Sequence, residues 1–156
     1  MSAPSRAAID HFLASKRIAF IGLSHNPEDF SRHLFREFVT RGYDVVPVNP
    51  HLAEAEGRPC YSSVRNIVPP VDGAVVMTSS DMSEDIVREC ADAGINRVWL
   101  YRALGQGAVS DAAIQACTEL GVEVVAGECP FMFLAESEFP HNVHAWVKKL
   151  TFTFPR

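Results

Sequence analysis

Hydrophobic positions along the chain fall into short uninterrupted runs, separated by stretches in which they recur every three or four residues. Arg17-Ile18-Ala19-Phe20-Ile21-Gly22 is an apolar run ended by glycine, and Leu34, Phe35, Phe38 and Val39 follow at helical spacing. The spacing predicts a buried strand leading into a helix, with Gly42 as the C-terminal stop. Tyr43-Asp44-Val45-Val46-Pro47-Val48 reads as the next strand and Gly73-Ala74-Val75-Val76-Met77 as the third. Met82, Ile86, Val87 and Cys90 make an apolar helix face, with Asp81 and Glu84 spaced as a capping box and Gly94 closing the helix. Arg97-Val98-Trp99-Leu100 is a fourth strand. Ala113, Ala116, Cys117 and Leu120 then give a helix stopped by Gly121, and Val122-Glu123-Val124-Val125 a fifth strand.

Strands that alternate with helices pair in parallel through right-handed crossovers, which covers both faces of the sheet. The expected fold is therefore α/β, a Rossmann-like doubly wound three-layer sandwich around a five-stranded parallel sheet. Residues 1–156 read as one domain with its core over about 17–131. A last helix is expected over about 140–150, where Val143, Trp146, Val147 and Leu150 keep helical spacing after Pro140. The length lies below the roughly 250 residues at which single cores divide, so no separate catalytic domain is expected.

A formal net charge of −5 supplies no positive field for DNA or RNA, so nucleic acid is not an expected partner. A small anion remains compatible with it, because backbone amides at a helix N-terminus hold phosphates whatever the global charge. The N-terminal residues lack the apolar stretch of a leader, and no run approaches the roughly 18 apolar residues of a membrane span. A cytoplasmic protein without a membrane partner is expected. Cys60, Cys90, Cys117 and Cys129 form no Cys-x-x-Cys pair, which points to reduced thiols and away from zinc or disulfides.

In open parallel sheets, ligands bind outside the carboxyl ends of the strands, so the strand-to-helix loops carry the candidate chemistry. The first loop runs from Gly22 to Arg32 and is neither a G-x-G-x-x-G turn nor a P-loop. It keeps one glycine for a tight exit, the hydroxyls of Ser24 and Ser31, and in Arg32 a guanidinium able to make two hydrogen bonds to a phosphate. The same residues also suit a polar surface loop in which Ser31 caps the helix. The second strand ends in Val48-Asn49-Pro50, without the acid that holds the ribose of NAD. Pro47 and Pro50 either flank an adenine ring or simply terminate the strand.

The run from Gly42 to Pro50 resembles the CoA-binding domain family, small proteins related to the N-terminal domain of the succinyl-CoA synthetase alpha subunit. Supporting motifs are Ile21-Gly22-Leu23-Ser24, Asn26-Pro27, Gly57-Arg58, Tyr61-Ser62-Ser63-Val64, Pro70-Val71-Asp72 and Cys129-Pro130, so the resemblance spans about Arg17 to Phe131. It implies coenzyme A or an acyl-CoA as ligand. The Gly22-Leu23-Ser24 turn and the Ser31-Arg32 helix start would face the diphosphate, and Val48, Asn49 and Pro50 the adenosine. Thr78, Ser79 and Ser80 would border the pantetheine. His51, when protonated, would assist the 3′-phosphate, which a neutral Asn49 does not repel. Relatives commonly carry a Gln-Leu-Gly type loop after the fourth strand, whereas here Tyr101 and Arg102 open that loop at the thiol end.

Binding without catalysis is the expected function. The alternatives are an NAD(P)-binding oxidoreductase, suggested by fold analogy, and a component of an acyl-CoA ligase. The six histidines show no partner pattern, and His141 with His144 lack a third metal ligand. Cys129 next to Pro130 reads as a turn, Cys90 and Cys117 as core, and Cys60 as a loop thiol open to oxidants. Glu54, Glu56, Asp85 and Glu89 read as solvated surface. Ser31 and Arg32 are expected at an exposed helix start, where Arg32→Ala would weaken CoA binding without unfolding the protein. Asn49→Asp is expected to change one charge beside the 3′-phosphate.

Overall fold

The computed structural model describes residues 5–102 and 106–138. Helix α1 (Arg6–Leu13) precedes β1 (Arg17–Ile21), and α2 (Phe30–Thr40) leads to β2 (Asp44–Val48). A short hairpin, β3 (Glu54–Ala55) and β4 (Arg58–Pro59), and a single 3-10 turn (Val64–Asn66) carry the chain to β5 (Gly73–Val76). There follow α3 (Ser80–Asp92), β6 (Arg97–Tyr101), α4 (Asp111–Leu120), β7 (Glu123–Glu128) and α5 (Phe131–Glu138). Five strands pair in parallel in the order β2-β1-β5-β6-β7. The chain thus winds outward from β1 to β2, then crosses back to β5, and this reversal opens a crevice at the carboxyl end of β1.

The period of two along each strand builds both core layers. In β1, Ile18 and Phe20 pack with Phe12 of α1, Phe35 and Phe38 of α2 and Phe133 of α5, while Ala19 and Ile21 face Val87 and Cys90 of α3 and Cys117 of α4. Helices therefore cover both faces, and the expected three-layer Rossmann-like sandwich is the observed one. Trp99 is fully buried in β6, edge-on to Phe12 at 5.4 Å, with its indole N–H donating to the Glu128 carbonyl at 2.9 Å. Burying so large a ring requires that its one polar atom find a partner.

One local expectation changes, and two helices appear that the sequence reading did not predict. Helix α3 begins at Ser80 with Ser79 as its N-cap residue, so Asp81 lies inside the first turn and the Asp81/Glu84 capping box does not form. Asp81 instead accepts the Ser79 hydroxyl. Helices α1 and α5 are each eight residues long, too short for periodicity to reveal them, and α5 starts directly after Pro130. The helix expected over 140–150 lies outside the described residues. Among the described residues no helix is long and apolar enough to cross a membrane.

Candidate functional site

A cavity of about 540 Å³ opens at the carboxyl ends of β1, β2 and β5, where the winding direction reverses. Of the residues singled out from sequence, Gly22, Val48, Asn49, Pro50, His51 and Thr78 line it. Sequence reasoning missed Ser62, Ser63, Val64, Met82, Ile86 and Glu89, which with Ile21 complete the wall. A signal for them existed. Ser62-Ser63-Val64 belongs to a family motif, and Met82 and Ile86 lie on the apolar face of α3, whose inner members Val87 and Cys90 fill the core.

Gly22 sets the floor of the crevice. Its φ of +96° suits glycine, and a Cβ there would stand 2.9 Å from the Met77 carbonyl carbon and 3.0 Å from the Thr78 nitrogen. The backbones leaving β1 and β5 are therefore closer than any side chain permits. A short step on, Thr78 has a buried Oγ1 with no hydrogen-bond partner among the described residues.

Past Gly22 the first loop is held from within. The Ser24 amide donates to Ser31 Oγ, the Asn26 amide to Ser24 Oγ, and the Ser31 amide to the Asp29 carboxylate that caps α2. Ser31 therefore does not cap the helix. The amides of Leu23 and His25 make no hydrogen bond to a described residue. The exposed placement expected of Ser31 and Arg32 is corrected: they are only 3% and 6% exposed. Arg32 Nε donates to the Ser24 carbonyl at 2.8 Å, and Nη1 to Glu56 Oε2 at 2.8 Å. Its planar fork thus staples the loop to the β3–β4 hairpin.

Glu56 is correspondingly no surface acid. Its carboxylate takes Arg36 Nε at 2.8 Å as well as Arg32, at a position whose φ of 53° places it at the hairpin turn. The hydrogen bond from Arg36 chiefly, and that from Arg32, hold its carboxyl below the usual range against the opposing effect of burial. A depressed folded-state pKa stabilises the fold above the unfolded value near 4.5, and this contribution is lost as pH falls through the folded value. Thermal unfolding followed from pH 6 to 3 should therefore show a steeper acid loss in the native protein than in Glu56→Gln; equal slopes would exclude Glu56 as a source.

Asn49 is also more tightly used than its neutral side chain suggested. Nδ2 donates to the Leu23 carbonyl at 2.8 Å, and Oδ1 accepts from the His51 amide at 2.7 Å, which ties the end of β2 to the first loop. Asn49→Asp would turn a carboxylate toward the Leu23 carbonyl, so the substitution does not isolate one ligand-directed charge. Leu23 itself is buried in the core on the α2 face.

The remaining candidates lie apart from this cavity wall. Ser79 is exposed beside it and Ser80 opens α3. Tyr101 ends β6 with its ring 6.0 Å from Phe30, which in turn stands 6.2 Å from Phe131. Arg102 lays its guanidinium against Gly127, where a Cβ would lie 3.2 Å from Nη2. Cys129 is half-buried at the start of α5. Burial raises its thiol pKa, opposed by the Phe131 and Met132 amides that point at the sulfur. Its pKa therefore moves away from the thiolate form that a nucleophilic cysteine needs. Burial pushes Cys90 up to about 12 and Cys117 up to about 11, as core thiols require. Cys60 is half-exposed, and burial raises its pKa too. His11 has a partner, Glu123 at 3.1 Å, but at the amino ends of the strands, opposite the crevice. No group of three metal-ligating side chains occurs among the described residues, and His141 and His144 lie outside them.

The chain is similar to several known proteins. The uncharacterized protein YneT of Bacillus subtilis is 33% identical over 130 residues, which cover 83% of this chain and 93% of YneT. A hypothetical protein from Pyrococcus horikoshii superposes with a TM-score of 0.77 at 26% identity, over 88% of this chain and 97% of that one. The alpha subunit of the ADP-forming acetate–CoA ligase II of Pyrococcus furiosus is 29% identical over 96 residues, 61% of this chain; the match spans 21% of that subunit. Residues 16–135, from the start of β1 through the opening of α5, match the CoA binding domain as one unbroken unit, and the chain belongs to that family.

Proposed function

We propose that the chain binds coenzyme A or an acyl-CoA in the crevice at the ends of β1, β2 and β5. One observation carries the reading: the cavity lies where the winding of a CoA-binding-family sheet reverses, with a glycine floor too tight for any side chain. Apolar walls from Val48, Val64, Met82 and Ile86 suit the adenine ring and the uncharged pantetheine arm of the ligand, and the exposed His25 amide, which makes no hydrogen bond to a described residue, suits its diphosphate. In this reading Ser24, Ser31 and Arg32 shape the diphosphate turn. Val48, Asn49, Pro50 and His51 border the adenosine, and Thr78, with Ser79 and Ser80 at its rim, borders the pantetheine. Tyr101 and Arg102 stand toward the thiol.

Calorimetric titration is expected to show saturable heat with CoA or acetyl-CoA and tighter binding than with NAD. No heat at millimolar CoA, or tighter binding of NAD, would overturn the proposal. NAD is disfavoured because β2 ends in Asn49, whose side chain is committed to Leu23 and His51.

The similarity to a ligase alpha subunit favours a second reading of the same site, as the CoA-binding component of an acyl-CoA ligase. The chain would then present the CoA thiol to chemistry performed by another component. Among the described residues no nucleophile with an activating base faces the cavity, so the chain alone, given acetate, ATP and CoA, is expected to leave CoA unacylated.

A further inference from the structure

Glu89 is the acidic side chain of the cavity lining, and it has no place in the reading so far. It projects from α3, is partly buried, and accepts a hydrogen bond from Ser63 Oγ at 2.8 Å across the cavity wall. A carboxylate inside a cavity meant for a polyanion is unfavourable to every phosphate near it. In the CoA reading the diphosphate therefore belongs on the Gly22 side, away from Glu89. Glu89 instead suits a neutral group that donates hydrogen bonds, because an ionised carboxylate accepts only. Ser63 takes one oxygen, Oε1, and the other makes no hydrogen bond to a described residue.

The position of the pair names the donor. Ser63 follows Tyr61, whose carbonyl accepts from the Asn49 amide and whose backbone bridges to Val48, so the Ser63–Glu89 pair sits directly beyond the end of β2. In open α/β sheets that bind nucleotides, the ribose lies at the end of this second strand. Val64 and Ile86 add apolar surface beside the pair.

Resting on the CoA reading above, we propose that Glu89, oriented by Ser63, reads the 6-amino group of the adenine ring. It is a specificity residue that selects adenine over bases lacking a donor at that edge.

The test compares CoA with 1,N6-etheno-CoA, whose second ring removes the amino hydrogens, by calorimetric titration of the native protein and of Glu89→Gln. The native protein is expected to bind CoA about tenfold or more tightly than etheno-CoA, as a hydrogen bond to a charged group warrants. In Glu89→Gln, of equal size, the amide donates to the etheno nitrogen as readily as it accepts from the amine, and the gap should shrink to under about threefold. Equal binding of the two ligands by the native protein would overturn the assignment without any variant. A gap unchanged in Glu89→Gln would overturn it too, because the discrimination would then come from ring size alone. Failure to bind CoA at all would be a different result, removing the underlying reading with it.

Discussion

Replacing Arg32 with alanine is expected to lower folding stability by about 3 kcal/mol, the scale for removing one partner of a buried ion pair. The guanidinium is 7% exposed and serves the Ser24 carbonyl and Glu56 together, so its loss leaves a partly buried carbonyl without this donor and the hairpin untied from the loop. Glu56 keeps Arg36, which puts the loss at the lower end of that scale. Lysine should not rescue it, since a single ammonium cannot bridge both acceptors in the planar geometry that Arg32 uses. Urea unfolding monitored by Trp99 fluorescence measures the change. A loss under about 0.5 kcal/mol, the size of an ordinary surface substitution, would mean that the staple carries no weight. CoA affinity should fall in the same variant through loosening of the Gly22–Ser24 turn.

Gly22→Ala should be at least comparably damaging, by about 2–6 kcal/mol, because two penalties coincide. A positive φ costs a non-glycine residue roughly 1–3 kcal/mol, and overpacking against a fixed backbone adds a similar amount. Gly42 separates the two. Its φ is +95°, yet a Cβ there meets nothing within 4 Å, so Gly42→Ala should show the dihedral penalty alone. Chemical denaturation of both variants gives the difference, which is the energy of the close approach between the strands leaving β1 and β5. If the two variants lose equal stability, that approach is not tight and the proposed floor of the site is wrong. CoA binding should fall below detection in Gly22→Ala and stay near the native value in Gly42→Ala, which caps the far end of α2.

How much of this was legible beforehand follows from the range of the interactions involved. Five apolar runs of four to six residues alternating with helical spacing determine a parallel α/β sheet, because no other arrangement buries strands on both faces. Gly22 was legible for the same local reason: a glycine ending a buried strand announces an unusual turn. The motifs around Gly42–Pro50 likewise indicated a CoA-binding domain. Val48, Asn49, Pro50, His51 and Thr78, singled out because strand ends locate the crevice of an open sheet, come together on one cavity wall.

What tertiary structure alone decided is the use of each polar side chain. The ion pair and burial of Arg32 were not legible because its partner Glu56 lies 24 residues away, on a hairpin of two-residue strands too short to leave a pattern. Asn49 looked free because its acceptor, Leu23, is brought beside it only by the pairing of β1 with β2. Glu89 looked like surface because it lies on α3 outside the strand-to-helix loops, and only the crossing of that helix over the Ser63 segment turns it into the cavity. Periodicity reports which face of an element is buried. Whether a polar group at the margin of that face points at water, at a ligand or at another charge depends on contacts between segments distant in the chain, which no local pattern encodes.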